Sequence, residues 1–234
     1  NAPVSGAGVG GGGRRSMKML SYEEARRVYD RIGAGQDTQA FYEDAATDDL
    51  IRHGEFESAG AVFEFGCGTG RFAEKLLREH LGATALYRGV DVSPKMIALA
   101  TGRLSGFGER ARVALSEGAP PTAEDAASCD RFVSNYVFDL LSEADIAAVL
   151  SEAHRMLRPA GLLCLTSLGP PRNMLSRVIM GIWSFLHRLN PKLVGGCRPV
   201  DLCACIAKGP WKLRHHRALA PFGLPSEVVI AERL

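Results

Sequence analysis

The chain of 234 residues is 46% hydrophobic and 23% charged, which suits one globular domain with a full core better than two small domains. Its 28 basic and 26 acidic residues leave a net charge of +2, so charge gives no support for a nucleic-acid partner. No run of about 18 apolar residues is present, which excludes a transmembrane helix within this sequence.

The cysteines indicate a reducing compartment. The 6 cysteines form no CxxC pair, so we expect free thiols and a cytoplasmic location. Cys203 and Cys205 are too closely spaced for the usual zinc pattern and have no matching second pair, so no metal site is predicted. No motif indicates an oligomeric state.

The beginning of the sequence differs in composition from the rest. Residues 1–16 are rich in glycine and lack an apolar stretch, so we expect a disordered leader there. Met17 is a candidate natural start. Residues 17–234 are predicted to form the folded domain.

Two helices are predicted near the N-terminus. Ser21 and Glu24 are spaced as a capping box for a helix over 21–32. A second helical pattern covers 39–53. Residues 17–55 are therefore interpreted as N-terminal helices that precede the main fold.

From residue 61 onward, strand and helix patterns alternate. Gly161 is predicted to stop the helix over 142–157 before the next strand begins. Helices are predicted at 71–80, 93–104 and 142–157, and strands at 61–65, 85–91, 111–115, 131–135, 162–168, 211–219 and 226–234. The alternation predicts an α/β fold, a single doubly wound and mostly parallel seven-stranded sheet with helices on both faces.

The most informative segment is FEFGCGTGR, residues 63–71, where a strand turns into a helix. Its three glycines allow backbone angles and a close ligand approach that side chains would forbid, and they place backbone N–H groups and a helix N-terminus around the ligand. A dinucleotide fingerprint needs a further glycine where Arg71 stands. The loop therefore argues against a nicotinamide-dependent oxidoreductase.

Two acids accompany this loop. Glu64 precedes it on the strand, where an acid suits a cationic ligand and would repel a diphosphate. Asp91 ends the second strand, at about the distance where an acid bonds ribose hydroxyls in dinucleotide folds. Asp91 could instead cap the next helix, although Ser93 already suits that position.

Over residues 60–168 the sequence resembles class I S-adenosylmethionine-dependent methyltransferases. The resemblance implies a Rossmann-like fold and methyl transfer from S-adenosylmethionine to a small, apolar molecule. It is closest in character to the small-molecule branch that includes ubiquinone and menaquinone biosynthesis methyltransferases. The segments that carry it are VFEFGCGTGRFAEKLL, YRGVDVSPKMIALA, LSEGAPP, CDRFVSNYVFDLL and RMLRPAGLLCLTSL.

The resemblance also implies roles for individual residues. The glycine loop would hold the methionine end of the donor, Asp91 its ribose, and Met96 would pack on the adenine, unless Met96 is a plain core residue. Where relatives often have Gly-Asp-Ala, this chain has Ser116-Glu117-Gly118. The implied donor-binding residues are Glu64, Gly66, Cys67, Gly68, Gly70, Asp91, Met96, Glu117, Gly118, Asn135 and Tyr136, the last two lining the methyl-transfer opening.

The sequence does not indicate one catalytic residue, because transfer of an activated methyl group needs mainly alignment and exclusion of water. A base is required only for a poor acceptor. The candidates on the acceptor side are Tyr29, Asp139 and His187. Their alternative interpretations are a packed helix aromatic, a helix-start acid and a surface side chain, respectively.

Residues 169–210 are predicted to be an insert on the substrate side, with a broadly apolar helix over 174–189. Its apolar face could pack on the sheet, cover an apolar acceptor or contact a membrane surface. Clustering of Met180, Trp183 and Phe185 favours a helical lid over the site.

Two further functions remain open at this stage. A nucleic-acid or protein methyltransferase would share the donor motifs, although base methylation usually brings an Asn/Asp-Pro-Pro-aromatic motif, which Ser134-Asn135-Tyr136-Val137 does not match. A non-catalytic module that binds S-adenosylmethionine and interacts through its insert helix would keep the same glycines.

Overall fold

The computed structural model describes residues 21–33, 35, 40–118, 120, 122–190 and 196–234. The predicted leader, residues 1–16, lies outside them. Within the described chain, one sheet has the strand order β3-β2-β1-β4-β5-β7-β6. The strands are β1 Ala61–Phe65, β2 Leu86–Asp91, β3 Ala111–Leu115, β4 Cys129–Asn135, β5 Leu157–Leu168, β6 Trp211–Leu219 and β7 Ser226–Arg233.

Parallel pairing joins β1 to β2 and β4, β2 to β3, and β4 to β5, whereas β7 runs antiparallel to both β5 and β6. The order reverses at β1, so the crevice beyond the carboxyl ends of β1 and β4 is the expected ligand position. The predicted doubly wound, mostly parallel seven-stranded sheet is confirmed.

Seven α-helices surround the sheet in the described chain. They are α1 Tyr22–Ile32, α2 Ala40–His53, α3 Arg71–Lys75, α4 Pro94–Leu104, α5 Glu143–Met156, α6 Met174–Leu189 and α7 Leu202–Ile206. A π-helical stretch, Leu76–His80, continues α3. The capping box predicted from Ser21 and Glu24 is present, and Ser93 caps α4 with Pro94 in its first turn.

The core lies on both faces of the sheet because alternate side chains of each strand point to opposite sides. In β4, Phe132 belongs to one buried cluster with Phe63 and Leu163. Its neighbour Val133 belongs to the other, with Val62 and Leu50 of α2. Both faces are therefore covered, as expected of a parallel sheet.

The prediction between α5 and β5 was wrong in detail. The helix ends at Met156, within one residue of the predicted end, but β5 starts at Leu157 rather than at 162. Pro159 disfavours a helical residue before it, so the chain is already extended there. The short helix α7 was not predicted.

The helix α6 fills the predicted 174–189 interval, and none of its residues lines the cavity described below. Ser176, Met180 and His187 form its buried side, and a short helical turn, Pro221–Gly223, packs against it. No helix of the described chain is long and apolar enough to cross a membrane.

The C-terminal half of α2 is fixed to β6 by a buried carboxylate. Asp49 is 1% exposed; its Oδ2 lies 2.7 Å from His215 Nε2, and its Oδ1 accepts a 2.7 Å hydrogen bond from Arg217. Burial alone would raise its pKa, but these two partners outweigh burial and hold the pKa of Asp49 below its usual range. Its contribution to stability is therefore complete above about pH 4 and is lost as the pH falls through the lowered pKa.

Replacing Asp49 by Asn should lower the free energy of unfolding by about 2 kcal/mol at neutral pH, the scale of hydrogen bonds to a charged group. The matched control is Asp48→Asn, because Asp48 is exposed and pairs with Lys75; its loss should stay within about 1 kcal/mol. Urea unfolding of both variants measures the difference. Equal effects would show that the buried contact does not anchor α2.

Candidate active site

A cavity of about 400 Å³ lies at the carboxyl ends of β1, β2 and β4. Its floor is the β1–α3 turn, and α1 and α2 form its roof. From the implied donor set, the cavity is lined by Glu64, Gly66, Cys67, Gly68, Asp91, Met96, Gly118, Asn135 and Tyr136. The switch point of the sheet therefore brings together residues from four separate motifs.

The β1–α3 turn depends on glycine at each of its three positions. Gly66, Gly68 and Gly70 all have positive φ, between 52° and 83°. A Cβ at Gly66 would lie 2.3 Å from Val137 Cγ2, and one at Gly70 would lie 3.1 Å from Ala100 Cβ. Gly70 does not line the cavity; it lets α3 pack closely on α4.

Glu64 lies at the centre of a hydrogen-bonded chain that crosses four strands. Its Oε2 accepts from the Tyr87 hydroxyl at 2.5 Å, and its Oε1 accepts from Asn135 Nδ2 at 3.1 Å. The Asn135 Oδ1 accepts in turn from Thr166 at 2.9 Å. Burial raises the pKa of Glu64 to about 7, although both donors oppose the shift. Tyr87 and Thr166 were not predicted, because their polar groups lie in strands that otherwise indicate only core.

Asp91 binds backbone rather than capping α4. Its Oδ2 accepts from the N–H of Gly68 at 3.0 Å, and its Oδ1 accepts from the N–H of Ser93 at 2.9 Å. Ser93 is the cap, accepting from the N–H of Met96. Burial raises the pKa of Asp91 despite these donors. A partly desolvated carboxylate beside the glycine turn can accept further hydrogen bonds from a ligand's hydroxyls.

At the β3 end, the structure separates two residues that the resemblance places together. Gly118 lines the cavity with a φ of +99°, and a Cβ there would lie 2.3 Å from the Tyr22 ring. Glu117 is exposed and lies outside the lining. Close packing of α1 on the 116–118 loop therefore requires the glycine, whereas the acid faces solvent.

Tyr136 adopts an uncommon backbone conformation at the end of β4. Its φ is +53°, which costs about 1 kcal/mol or more in a non-glycine residue. Its hydroxyl lies 2.8 Å from Ser226 Oγ, and its ring meets Tyr42 edge-on at 5.7 Å. These contacts hold the strained residue at the opening, where strained residues often serve a function.

The roof of the cavity was not predicted. Helix α1 contributes Tyr22, Ala25 and Tyr29, and α2 contributes Glu43, Asp44, Thr47 and Asp48. Three ion pairs tie α2 to α3. Arg71 Nη1 lies 2.5 Å from Asp44 Oδ1, Arg71 Nη2 lies 3.5 Å from Glu43 Oε2, and Lys75 Nζ lies 2.5 Å from Asp48 Oδ1. The exposed pairs at Asp44 and Asp48 contribute at most about 1 kcal/mol each, so these two contacts are easily broken.

The three catalytic candidates lie in different places. Tyr29 lines the cavity. Asp139 is buried just outside the lining with its Oδ1 lacking a hydrogen bond from the described residues, and burial raises its pKa to about 7. His187 is buried on α6, away from the cavity, with its Nε2 3.2 Å from the carbonyl oxygen of Gly196. The interpretation of His187 as a surface side chain was wrong.

Outside the cavity, two clusters of side chains have their ligand atoms within metal-binding distance. One cluster is Asp49, His53 and His215, and the other is Cys203, His216 and Glu227. In the first, the two imidazole rings stack at 3.8 Å. In the second, Glu227 is already bonded to His216 and to the N–H of Leu202. Both groups are accounted for by contacts within the protein.

Residues 62–161 match the model of a methyltransferase domain. An uncharacterized methyltransferase of Bacillus cereus is 28% identical over 140 residues. Over residues 62–161 the chain is similar to methyltransferase domains. S-adenosylmethionine is the methyl donor of this family. The match to the Bacillus protein covers 60% of this chain and 62% of that protein, so the chain spans less than two thirds of the curated relatives' length.

Solved structures share the fold at low sequence identity. The [4+2]-cyclase SpnF matches with a TM-score of 0.68 and 12% identity, over 92% of this chain and 97% of that one. Geranyl diphosphate C-methyltransferase from Streptomyces coelicolor A3(2) matches with a TM-score of 0.62 and 15% identity, over 82% of this chain and 79% of that one. At such identities the likeness shows the fold alone.

The cavity residues fit this donor chemically. S-adenosylmethionine carries an ammonium group, a sulfonium and a ribose, and lacks a diphosphate. The Glu64 carboxyl and the three-glycine turn suit its amino-acid end, and the Asp91 carboxylate suits hydroxyl donors such as those of ribose. Met96 and Gly118 line the same cavity.

Donor binding should release a proton near neutral pH. A bound cation favours ionised Glu64, whose pKa is raised to about 7 in the ligand-free cavity, so affinity should rise with pH by up to about tenfold per unit below that value. Calorimetry in buffers of different ionisation enthalpy counts the protons. Glu64→Gln should retain only the smaller dependence that the raised pKa of Asp91 supplies. An unchanged pH profile in that variant would contradict the placement of the ammonium group near Glu64.

Proposed function

We propose that the chain transfers a methyl group from S-adenosylmethionine to a small, mostly apolar molecule enclosed beneath α1 and α2. The observation that carries this proposal is a cavity of about 400 Å³ that α1, α2 and the glycine turn line together. This volume lies near the lower end of the range for ligand pockets, about 300–1,000 Å³, which favours a small acceptor.

The lining supports an apolar acceptor. Phe72, Val137 and Leu140 contribute apolar side chains to it, and Tyr29 and Tyr136 contribute aromatic ones. The resemblance to ubiquinone and menaquinone biosynthesis methyltransferases points to the same class of acceptor. So does the geranyl diphosphate methyltransferase, whose named substrate is largely hydrocarbon.

The most favourable position for a proton acceptor belongs to Glu43, which the sequence did not single out. Its carboxylate lines the cavity, and its Oε2 lies 3.5 Å from an Arg71 nitrogen. Burial raises its pKa to about 7, against the effect of Arg71. Methylation of a nitrogen or oxygen leaves a proton to be removed, and a carboxylate with this pKa can take it at neutral pH.

The earlier candidates fit this role less well. Burial raises the pKa of Tyr29 well above its usual range, so its hydroxyl stays protonated and can only orient an acceptor. Asp139 does not line the cavity, and His187 lies on α6. Tyr29 and Glu43 therefore form the acceptor side of the proposed site, with Asp139 behind them.

The alternative functions differ in which class of molecule, if any, would be methylated. Nucleic-acid or protein acceptors would have to enter beneath the roof, and the net charge of +2 provides little attraction for nucleic acid. A non-catalytic donor-binding module, or another chemistry such as that named for the [4+2]-cyclase, would bind the donor without transferring its methyl group.

Incubation with methyl-labelled donor and fractions of a cell extract separates these possibilities. Label should enter the low-molecular-weight fraction, and Asp91→Ala, which removes an acceptor of ligand hydrogen bonds, should weaken donor binding by about tenfold or more. Label in protein or RNA would refute the small-molecule acceptor. Donor binding without transfer to any fraction would support the non-catalytic module.

Replacing Glu43 by Gln should lower kcat by about 100-fold or more, the usual contribution of a positioned base, while donor affinity stays unchanged. The native rate should rise with pH through about 7 as Glu43 ionises, and the variant should lose this rise. Asp44→Asn is the matched control, because Asp44 pairs with the same Arg71 from an exposed position. A variant at position 43 with native kcat would show that alignment alone drives the reaction.

A further inference from the structure

Helix α6 presents a continuous apolar face to solvent. Five of its six large side chains recur at i, i+4, i+8, i+11 and i+15 from Met174, and the sixth, Leu175, lies at their edge; together they cover one side of the helix. Each is between 57% and 73% exposed. The α6 face consists of Met174, Leu175, Val178, Ile182, Phe185 and Leu189.

The apolar surface continues onto the turn Pro221–Gly223. Ile179 and Leu175 of α6 pack so closely on Gly223 that a Cβ there would lie 2.5 Å from Ile179 Cδ1. The adjoining Phe222 is 73% exposed, with a positive φ of 53°. Two separate segments therefore place large apolar side chains on one outward surface, which exceeds the scattered exposure of an ordinary protein surface.

The opposite side of α6 is firmly held. Met180 and Ser176 are buried, and the Trp183 indole N–H donates a 2.9 Å hydrogen bond to the carbonyl of Cys197. The helix is thus anchored by its other side, and the exposed face does not result from a detached helix.

The sequence around α6 has charges of one sign. Between residues 169 and 200 it has no Asp or Glu but contains Arg172, Arg177, Arg188, Lys192 and Arg198. Arg177 and Arg188 are exposed, and the helical period places both along one edge of the apolar face. The whole chain has a net charge of only +2, so the basic segment 169–200 differs from the rest of the chain.

We propose that the α6 face and Phe222 dock on an anionic lipid bilayer, with the helix lying in the plane of the interface. Large apolar side chains flanked by arginines are the composition of helices that insert at the headgroup boundary, and each arginine adds attraction to anionic headgroups. A second copy of the chain fits this face less well, because pairing two such faces would bring arginines of both copies together with no acid from this segment between them.

The test is flotation of the full chain with vesicles of phosphatidylcholine, with or without phosphatidylglycerol. Binding should require phosphatidylglycerol and fall as salt is raised. The double variant Ile182→Asp with Phe185→Asp should abolish it, and Arg177→Gln with Arg188→Gln should weaken it by about tenfold or more. Leu213→Asp, on exposed β6, is the matched control and should bind as the native chain does. Because all the changed side chains are exposed, each variant should fold, and thermal unfolding checks that it does.

Failure of the native chain to float with anionic vesicles would overturn the proposal. So would equal binding by the double aspartate variant. If the native chain is instead a dimer by light scattering and that variant is a monomer, the face is an interface between copies. None of these outcomes bears on methyl transfer, which is measured separately with a water-soluble acceptor fraction.

Discussion

Two neighbouring strand ends are tied together by backbone hydrogen bonds, and the site depends on that tie. The N–H groups of Gly66 and Cys67 both donate to the carbonyl of Val90, at 2.8 and 2.9 Å, and the N–H of Gly68 donates to the Asp91 carboxylate. The turn after β1 is thereby fixed against the end of β2, which requires positive φ at successive glycines. The first turn of α3 and the acid at Asp91 consequently border the same cavity, which is the arrangement that the proposed donor site uses.

The Glu64 carboxyl group next to this turn has a pKa close to neutral pH. Glu64 is buried, and a buried carboxylate without a cationic partner is costly, but the Tyr87 hydroxyl and the Asn135 amide offset part of that cost. The protein therefore holds a group that is partly neutral when the cavity lacks a cation and becomes fully ionised when one binds. The same balance of burial against few donors recurs at Glu43 on the roof, so both ends of the cavity respond to pH near neutrality.

The fold and the lining of the cavity at the glycine turn were predictable because both follow from local patterns. Three glycines at a strand-to-helix turn indicate a close backbone approach, and Ser93 marks the start of α4, which leaves Asp91 to bind the turn. The roof was not predictable, because Asp44 and Asp48 become significant only when α3 brings Arg71 and Lys75 opposite them. The surroundings of α6 were not predictable for a related reason: its apolar pattern defines a face but not what covers it. A buried side of Ser176, Met180 and His187, with larger apolar residues outside, is the reverse of the usual arrangement.

The two ends of α2 are held with different strength, and this suggests how an acceptor enters. The buried Asp49 fixes the C-terminal half to β6, whereas the N-terminal half is held to α3 by the pairs of Glu43 and Asp44 with Arg71, so opening should begin at the N-terminal half. The turn Pro221–Gly223, which carries Phe222, packs against both α2 and α6. A bilayer bound through the α6 face would therefore lie next to the helix that opens. An apolar acceptor dissolved in that bilayer could reach the cavity without crossing bulk water, which would favour the acceptors that the lining already suits.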